Sequence, residues 1–239
     1  HGDKKTYQMD PANRNEALDI PDGTKWVRFG FRIYGPGEAR IQRLLLGRRE
    51  TTPVSLISSA RYLLVTNQYP SYYDIYRNGF VHSRVRSYQE YNGKFDVFRL
   101  APDRDTRFHE YENIDCITGA SAQLDAMLTG NTYQTVCVHF LTQEMWNVLR
   151  PHVANGLRVI IWIHGAEIQP WWRRQFNYDT DARIRIAKQE TEQRMSFWRR
   201  VARRPPENLH FVFVSESFFS EVQEDLGFSI PKENYSIIV

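Results

Sequence analysis

From residue 61 onward the chain repeats one unit: a short, continuous run of apolar and often β-branched residues, then a segment of helical periodicity. The runs are RYLLVTN (61–67), FDVFRLA (95–101), YENIDCITG (111–119), TVCVHFL (135–141), RVIIWIHG (158–165), LHFVFVS (209–215) and YSIIV (235–239). Such runs lack polar alternation, so both faces of each strand must be covered, which is the condition of a parallel sheet. Parallel neighbours need crossovers, and the intervening segments supply them as helices. FVHSRVRSYQEY (80–91) puts Phe80, Val81, Val85 and Tyr88 on one face. Ser121 is placed to cap a helix that stops at Gly130, and Thr142 one that carries Trp146, Leu149 and Val153 to Gly156. Phe218, Val222 and Leu226 mark a helix ended by Gly227. A longer helix spans 183–204, with Ile184, Ala187, Thr191, Met195, Trp198 and Ala202 as its apolar stripe and Pro205-Pro206 as its stop.

The expected fold class is α/β: a Rossmann-like, doubly wound parallel sheet over residues 61–239. The first 60 residues read differently. Residues 1–22 have no periodic apolar pattern and read as an arm or linker. In residues 23–50, Val27, Phe29, Phe31 and Ile33 alternate with Arg28, Gly30, Arg32 and Tyr34, and Gly35-Pro36-Gly37 can turn the chain into EARIQRLLLG. That is a β-hairpin, which must dock on something to be stable; the tail of an upstream β-sandwich is one reading. Residues 51–60 read as a connector.

A chain of 239 residues can bury a core without disulfides or metals. Its two cysteines, Cys116 and Cys137, lie in separate apolar runs with no CxxC pair, which predicts buried free thiols in a reducing, cytoplasmic setting. The polar first 20 residues predict no secretory leader within them, and no apolar run approaches the ~20 residues of a membrane span. Net charge is only +3, which does not call for a nucleic-acid partner.

Ligands of such sheets sit beyond the carboxyl ends of the strands, so the loops 67–79, 101–110, 118–121, 139–142, 164–178 and 215–217 are the candidate sites. The first of these lacks a GxGxxG fingerprint, which argues against a nicotinamide cofactor. Asn78 and Gly79 stand where a helix start can offer N–H groups to an anion, or simply begin the helix. IIWIHGAEIQPWWRR (160–174) is the most informative stretch: His164 directly follows a buried strand, Gly165 permits close backbone approach, and Glu167, Trp171, Trp172 and two arginines follow. The adjacent tryptophans suit stacking on a sugar or base, insertion at a lipid interface, or wedging beneath the long helix. That helix carries eight Lys or Arg against Glu190 and Glu192, a solvated face or one for phosphates or anionic lipid. His139 reads as a core histidine, and His82, His109, His152 and His210 have no metal-ligand spacing. No P-loop, GxSxG or HExxH motif is present.

YLLVTNQYP, RNGF, VCVHFL, VIIWIHGAE and FVFVSES before YSII together resemble the N-terminal half of retaining glycosyltransferases of the GT-B fold, of the large group numbered family four. The resemblance covers about three quarters of the chain. It implies a hexosyltransferase-like enzyme, active in polysaccharide biosynthesis, that moves a sugar from a nucleotide-sugar donor to a glycan or lipid-linked acceptor with retention and without metal or other cofactor. It implies that His164 is the catalytic histidine, reaching the donor sugar; the loop residues Asn78, Gly79, Gly165, Glu167, Trp171 and Trp172 are the candidates for binding substrate beside it. In the family a second α/β domain follows and holds the donor, so residues 1–239 alone are expected to be inactive. Only Gly79, after Asn78, stands where the family often has paired glycines. The alternative is a non-catalytic carbohydrate-binding module. Location is expected to be cytoplasmic, with peripheral contact at the inner face of the membrane through 183–204 as the further expectation.

Overall fold

The computed structural model describes residues 60–238, apart from 73, 92, 94, 103–105, 113 and 131–132. The expected arm, hairpin and connector lie outside the described residues except for Ala60. The strands are β1 (Tyr62–Thr66), β2 (Phe95–Leu100), β3 (Arg107–Tyr111), β4 (Ile114–Gly119), β5 (Thr135–His139), β6 (Arg158–Ile163), β7 (Leu209–Phe213) and β8 (Tyr235–Ile237). They form one sheet in the order β3–β4–β2–β1–β5–β6–β7–β8. Seven of the strands run parallel, and β3 pairs antiparallel with β4 at one edge. The fold is therefore the expected doubly wound α/β sheet, with its switch point between β1 and β5. The edge strand β3 falls in the loop expected over 101–110. Its sequence, RFHEY, is short and charged, as protected edge strands are, and leaves little apolar signal.

The helices are α1 (Gly79–Glu90), α2 (Ser121–Gly130), α3 (Gln143–Ala154), α4 (Asp181–Ala202) and α5 (Glu216–Leu226). Side-chain oxygens of Thr142, Thr180 and Ser215 accept the N–H three residues on and start α3, α4 and α5. Gly227, at φ 79°, ends α5. Ser121 is not the cap of α2. It is the first helical residue and donates to Glu144 at 2.5 Å, while Gln123 reaches back to accept the Ala120 N–H.

α2 to α5 all cover one face of the sheet. Leu124, Leu149, Trp198 and Val222 join Val65, Val138, Ile161 and Phe211 in the larger core cluster. Among the described residues α1 alone covers the other face, where Val81 and Val85 meet Leu64, Val97, Ile114 and Cys116. The inward face of α1 is Val81, His82 and Val85, so Phe80 turns outward and is exposed. On α5 it is Phe219 that fills the core, beside Phe213, while Phe218 stays half-buried. The α4 stripe is as expected, extended by Phe197 and Val201, with Ile184 half-buried. Both cysteines are buried free thiols, and burial pushes the Cys137 thiol up to about 12. No helix among the described residues is long and apolar enough to cross a membrane.

Candidate functional site

The carboxyl ends of β5 and β6 carry His139 and His164. Parallel pairing sets His139 beside Trp162, so His164, two residues on, projects from the same face just past the strand. The two imidazoles are bonded, His139 Nδ1 to His164 Nε2 at 2.9 Å. Among the described residues this is the only hydrogen bond of the His164 ring. Phe140 stacks on that ring at 4.6 Å and Phe80, the second residue of α1, meets it edge-on at 5.0 Å. His139 in turn lies parallel to Trp162 at 5.7 Å, and the Arg84 guanidinium sits 3.6 Å over the Trp162 ring. Burial, reinforced by Arg84, lowers the His164 pKa to about 4. Burial, with His164 and Arg84 adding to it, drives His139 well below the ordinary value. At neutral pH both rings are uncharged.

Two features mark this cluster as more than packing. His139 Nε2 and Arg84 Nε are buried with no hydrogen-bond partner among the described residues. Phe140 holds φ at 58°, a left-handed conformation unusual for a bulky residue and typical of functional sites.

Asn78 and Gly79 come to the same place, since Phe80 touches His164. Asn78 precedes α1 in the left-handed region (φ 53°), and its amide donates to Asn67 Oδ1 and the Gln68 carbonyl instead of capping the helix. A side-chain atom placed on Gly79 would meet nothing within 4 Å among the described residues, so there is open space beside the first residue of α1. The loop is held from outside the site. Tyr69 OH is hydrogen-bonded to His82 Nδ1 at 2.8 Å, His82 Nε2 lies 3.1 Å from Glu112 and Arg86 donates to the same carboxylate oxygen at 2.9 Å. The His82 hydrogen bond, helped by Arg86, holds the Glu112 carboxyl below its usual range. His109 on β3 bonds the Pro70 carbonyl at 3.3 Å. The unexpected edge strand thus anchors the loop that delivers Asn78 and Gly79.

Gly165 and Glu167 build the turn below His164. Gly165 is at φ 124°, and a side chain there would crowd Gln169 Oε1 at 3.1 Å. Glu167 Oε1 accepts the His164 N–H at 2.6 Å, and its carbonyl accepts Trp198 Nε1 at 2.7 Å. Its other carboxylate oxygen is buried without a partner among the described residues, and burial raises its pKa. Glu167 is a brace for His164.

The tryptophans are elsewhere. They open a 3-10 helix, Trp171–Asn177. The Trp171 N–H is accepted by Thr191 Oγ1, and Lys188 Nζ lies 4.8 Å over its ring, both from α4. Trp172 Nε1 donates to Asp225 on α5, where Arg173 also binds Asp225 and Glu224. They wedge between α4 and α5, one of the readings open from sequence, and Trp172 keeps an exposed edge. Several cations of α4 are likewise engaged. Arg183 pairs with Asp179, Arg194 with Glu190, and Arg199 donates to the Leu226 carbonyl at the end of α5.

Sequence reading singled out His164 but missed His139, Phe140, Phe80 and Arg84 as its neighbours. The position of HF at a strand end (139–140) was the available signal; the bond between two strands' histidines was not visible without register. Among the described residues no cluster of His, Cys, Asp and Glu could hold a metal ion. Searches against known protein families and curated proteins found no match to this chain.

Proposed function

We propose that residues 61–239 form the acceptor-side domain of a retaining glycosyltransferase, which moves a sugar from a nucleotide-sugar donor to a glycan or lipid-linked acceptor. The observation that carries this reading is an uncharged, partly exposed His164, bonded on one nitrogen to His139 and set beside the open start of α1. A neutral imidazole beyond the carboxyl ends of a parallel sheet is a hydrogen-bonding group for a polar ligand, in the place where such sheets bind them.

In this reading His164 holds the donor sugar and the acceptor lies over the loop after β1. In transfer the bond from C1 of the sugar to the diphosphate oxygen breaks, the bond from C1 to the acceptor oxygen forms on the same face, and the acceptor hydroxyl proton passes to the leaving diphosphate oxygen. It needs no nucleophilic side chain, only stabilisation of the leaving diphosphate. The open N-terminus of α1 offers N–H groups of the right polarity on this side of the cleft. A second α/β domain would supply the rest of the donor site.

The test is transfer from a panel of nucleotide hexoses by a chain extended through the natural sequence after Val239, with His164→Ala as the variant. The expected result is turnover by the parent and a loss of about tenfold or more in kcat, equivalent to about 1.4 kcal/mol, in the variant. Equal turnover by the two would remove His164 from the chemistry. Robust turnover by residues 1–239 alone would overturn the two-domain reading.

A further inference from the structure

One cation reaches the two-histidine cluster without a role in the reading above. Arg84 lies in the middle of α1, and α1 is seated on β1, β2 and β4. Its guanidinium nonetheless sits 3.6 Å over the ring of Trp162 on β6. In the order β2–β1–β5–β6 that reach takes the side chain across β5, the strand of His139. Register makes Trp162 part of the site. It pairs directly with His139, and His164 follows two residues later on the same face. The Trp162 and His139 rings lie parallel at 5.7 Å, and His139 Nδ1 bonds His164 Nε2. These distances hold the Arg84 charge within about 9 Å of the His139 ring, a range at which a unit charge still opposes a second of like sign inside a protein.

We propose that Arg84 is a positioning residue for His164: acting through Trp162 and His139, its fixed charge keeps an extra proton off the imidazole pair, so that His164 meets a ligand as a neutral hydrogen-bonding group. The surroundings leave that charge in force. Trp162 and His139 are buried, so water screens little between them and the guanidinium. Tyr88, one turn further along α1, is a neighbour whose hydroxyl burial keeps protonated, so it brings no negative charge. Among the described residues no carboxylate pairs with Arg84. Glu167 is the carboxylate beside His164; it accepts the backbone N–H, and Arg174 lies on its far side, donating to the Ala166 carbonyl.

The residue type fits the task. A guanidinium stays charged when it is buried, and its plane stacks on an indole ring. A cation is also needed where burial alone would not do. Burial is the first cause that lowers both histidines, and Arg84 adds to it at each. Burial of His164 is partial and changes when water or a polar ligand reaches the ring, whereas a charge built into α1 stays. Phe80, Arg84 and Tyr88, four residues apart, make one stripe of that helix, and Phe80 touches the His164 ring. The helix that brings Gly79 to the site thus also brings the charge. This inference rests on the reading of His164 as a ligand-binding group, but its test needs no turnover, so the two can fail separately.

The experiment is an acid titration of the His164 ring, followed by imidazole ¹⁵N–¹H NMR in the whole 239-residue chain. Parent, Arg84→Met, Arg84→Gln and Arg84→Lys are compared. Met keeps an apolar stem over Trp162 without charge, Gln keeps a polar end without charge, and Lys keeps the charge throughout the acid range. The His164 midpoint, about 4 in the parent, is expected to rise in the two neutral variants, with proton binding strengthened about threefold or more. In Arg84→Lys it is expected to stay with the parent. An unmoved midpoint in whichever neutral variant folds would overturn the proposal. An equal rise in Arg84→Lys would overturn it too, because lost packing and not lost charge would then be the cause. If neither neutral variant folds, Arg84 is a structural residue and the proposal falls as well.

Discussion

Two buried histidines lie on the same face of the sheet and have opposite surroundings. His82, on α1, is bonded through both ring nitrogens, to Tyr69 and to Glu112, and sits edge-on to the Tyr69 and Tyr111 rings. His139, on β5, is bonded through one nitrogen to another histidine and keeps the second buried and unpartnered among the described residues. The first arrangement spends every polar atom on holding a loop to an edge strand. The second leaves a desolvated polar atom uncompensated, which costs about 1–3 kcal/mol and is found where something other than stability is served. A buried histidine by itself therefore says little, and the count of its satisfied atoms separates brace from site.

Replacing each by leucine, a residue of similar volume, should break the symmetry most clearly. His82→Leu leaves the Tyr69 hydroxyl, 1% exposed, without its partner and frees Glu112 and Arg86 from the loop. The expected loss is about 3 kcal/mol in urea unfolding. His139→Leu removes the unpartnered nitrogen along with the bond to the partly exposed His164, which water can replace. Its expected effect is within about 1 kcal/mol of the parent. Equal losses at the two positions would show that the His139 cluster is a structural brace as well.

The same contrast explains what could be read from sequence. The β-branched runs and the cap at Thr142 are local signals, and the strands and helices that they mark stand where those signals placed them. His164 was legible because it ends such a run. The edge strand β3 was not, because its pairing with β4 is set by neighbours and its short sequence, RFHEY, has no continuous apolar run. The His139–His164 bond depends on the register of β5 with β6, and the left-handed Phe140 on how the chain leaves β5; neither has a composition signature. The surroundings of the tryptophan pair were not legible either: the bonds of Trp171 to Thr191 on α4 and of Trp172 to Asp225 on α5 join residues 20 and 53 positions apart.

A smaller effect is expected from pH. His164 has its folded pKa lowered to about 4, and His139 is lowered as well. In the unfolded chain each takes up a proton near 6.5. Between pH 6.5 and about 4 the unfolded state therefore binds more protons than the folded one, so stability is complete above 6.5 and falls as the solution is acidified. With discount for screening of its partly exposed ring, His164 alone should cost about 1 kcal/mol between pH 6.5 and 5, and His139 acts in the same direction. His139→Leu should reduce that slope, as measured by urea midpoints across the range. A slope untouched by the substitution would place the acid sensitivity elsewhere.

The finest distinction lies in a proton. Two uncharged imidazoles 2.9 Å apart share one hydrogen, and the surroundings decide which ring gives it. If His164 donated from Nε2, neutral His139 would carry its own proton on Nε2, a buried N–H with no acceptor among the described residues. If His139 donates from Nδ1, the unpartnered atom is a bare lone pair, a less rare defect than an orphaned N–H. The second allotment forces the His164 proton onto Nδ1, the less common tautomer, and makes His164 a hydrogen-bond donor toward a ligand oxygen. Two-bond ¹⁵N–¹H spectra of the imidazoles read this directly. The expected pattern is a protonated Nδ1 for His164 in the parent, reverting toward the ordinary Nε2 form in His139→Leu, with His82 unchanged in both. An Nε2-protonated His164 in the parent would make that ring an acceptor, and a sugar hydroxyl bound there would have to donate to it.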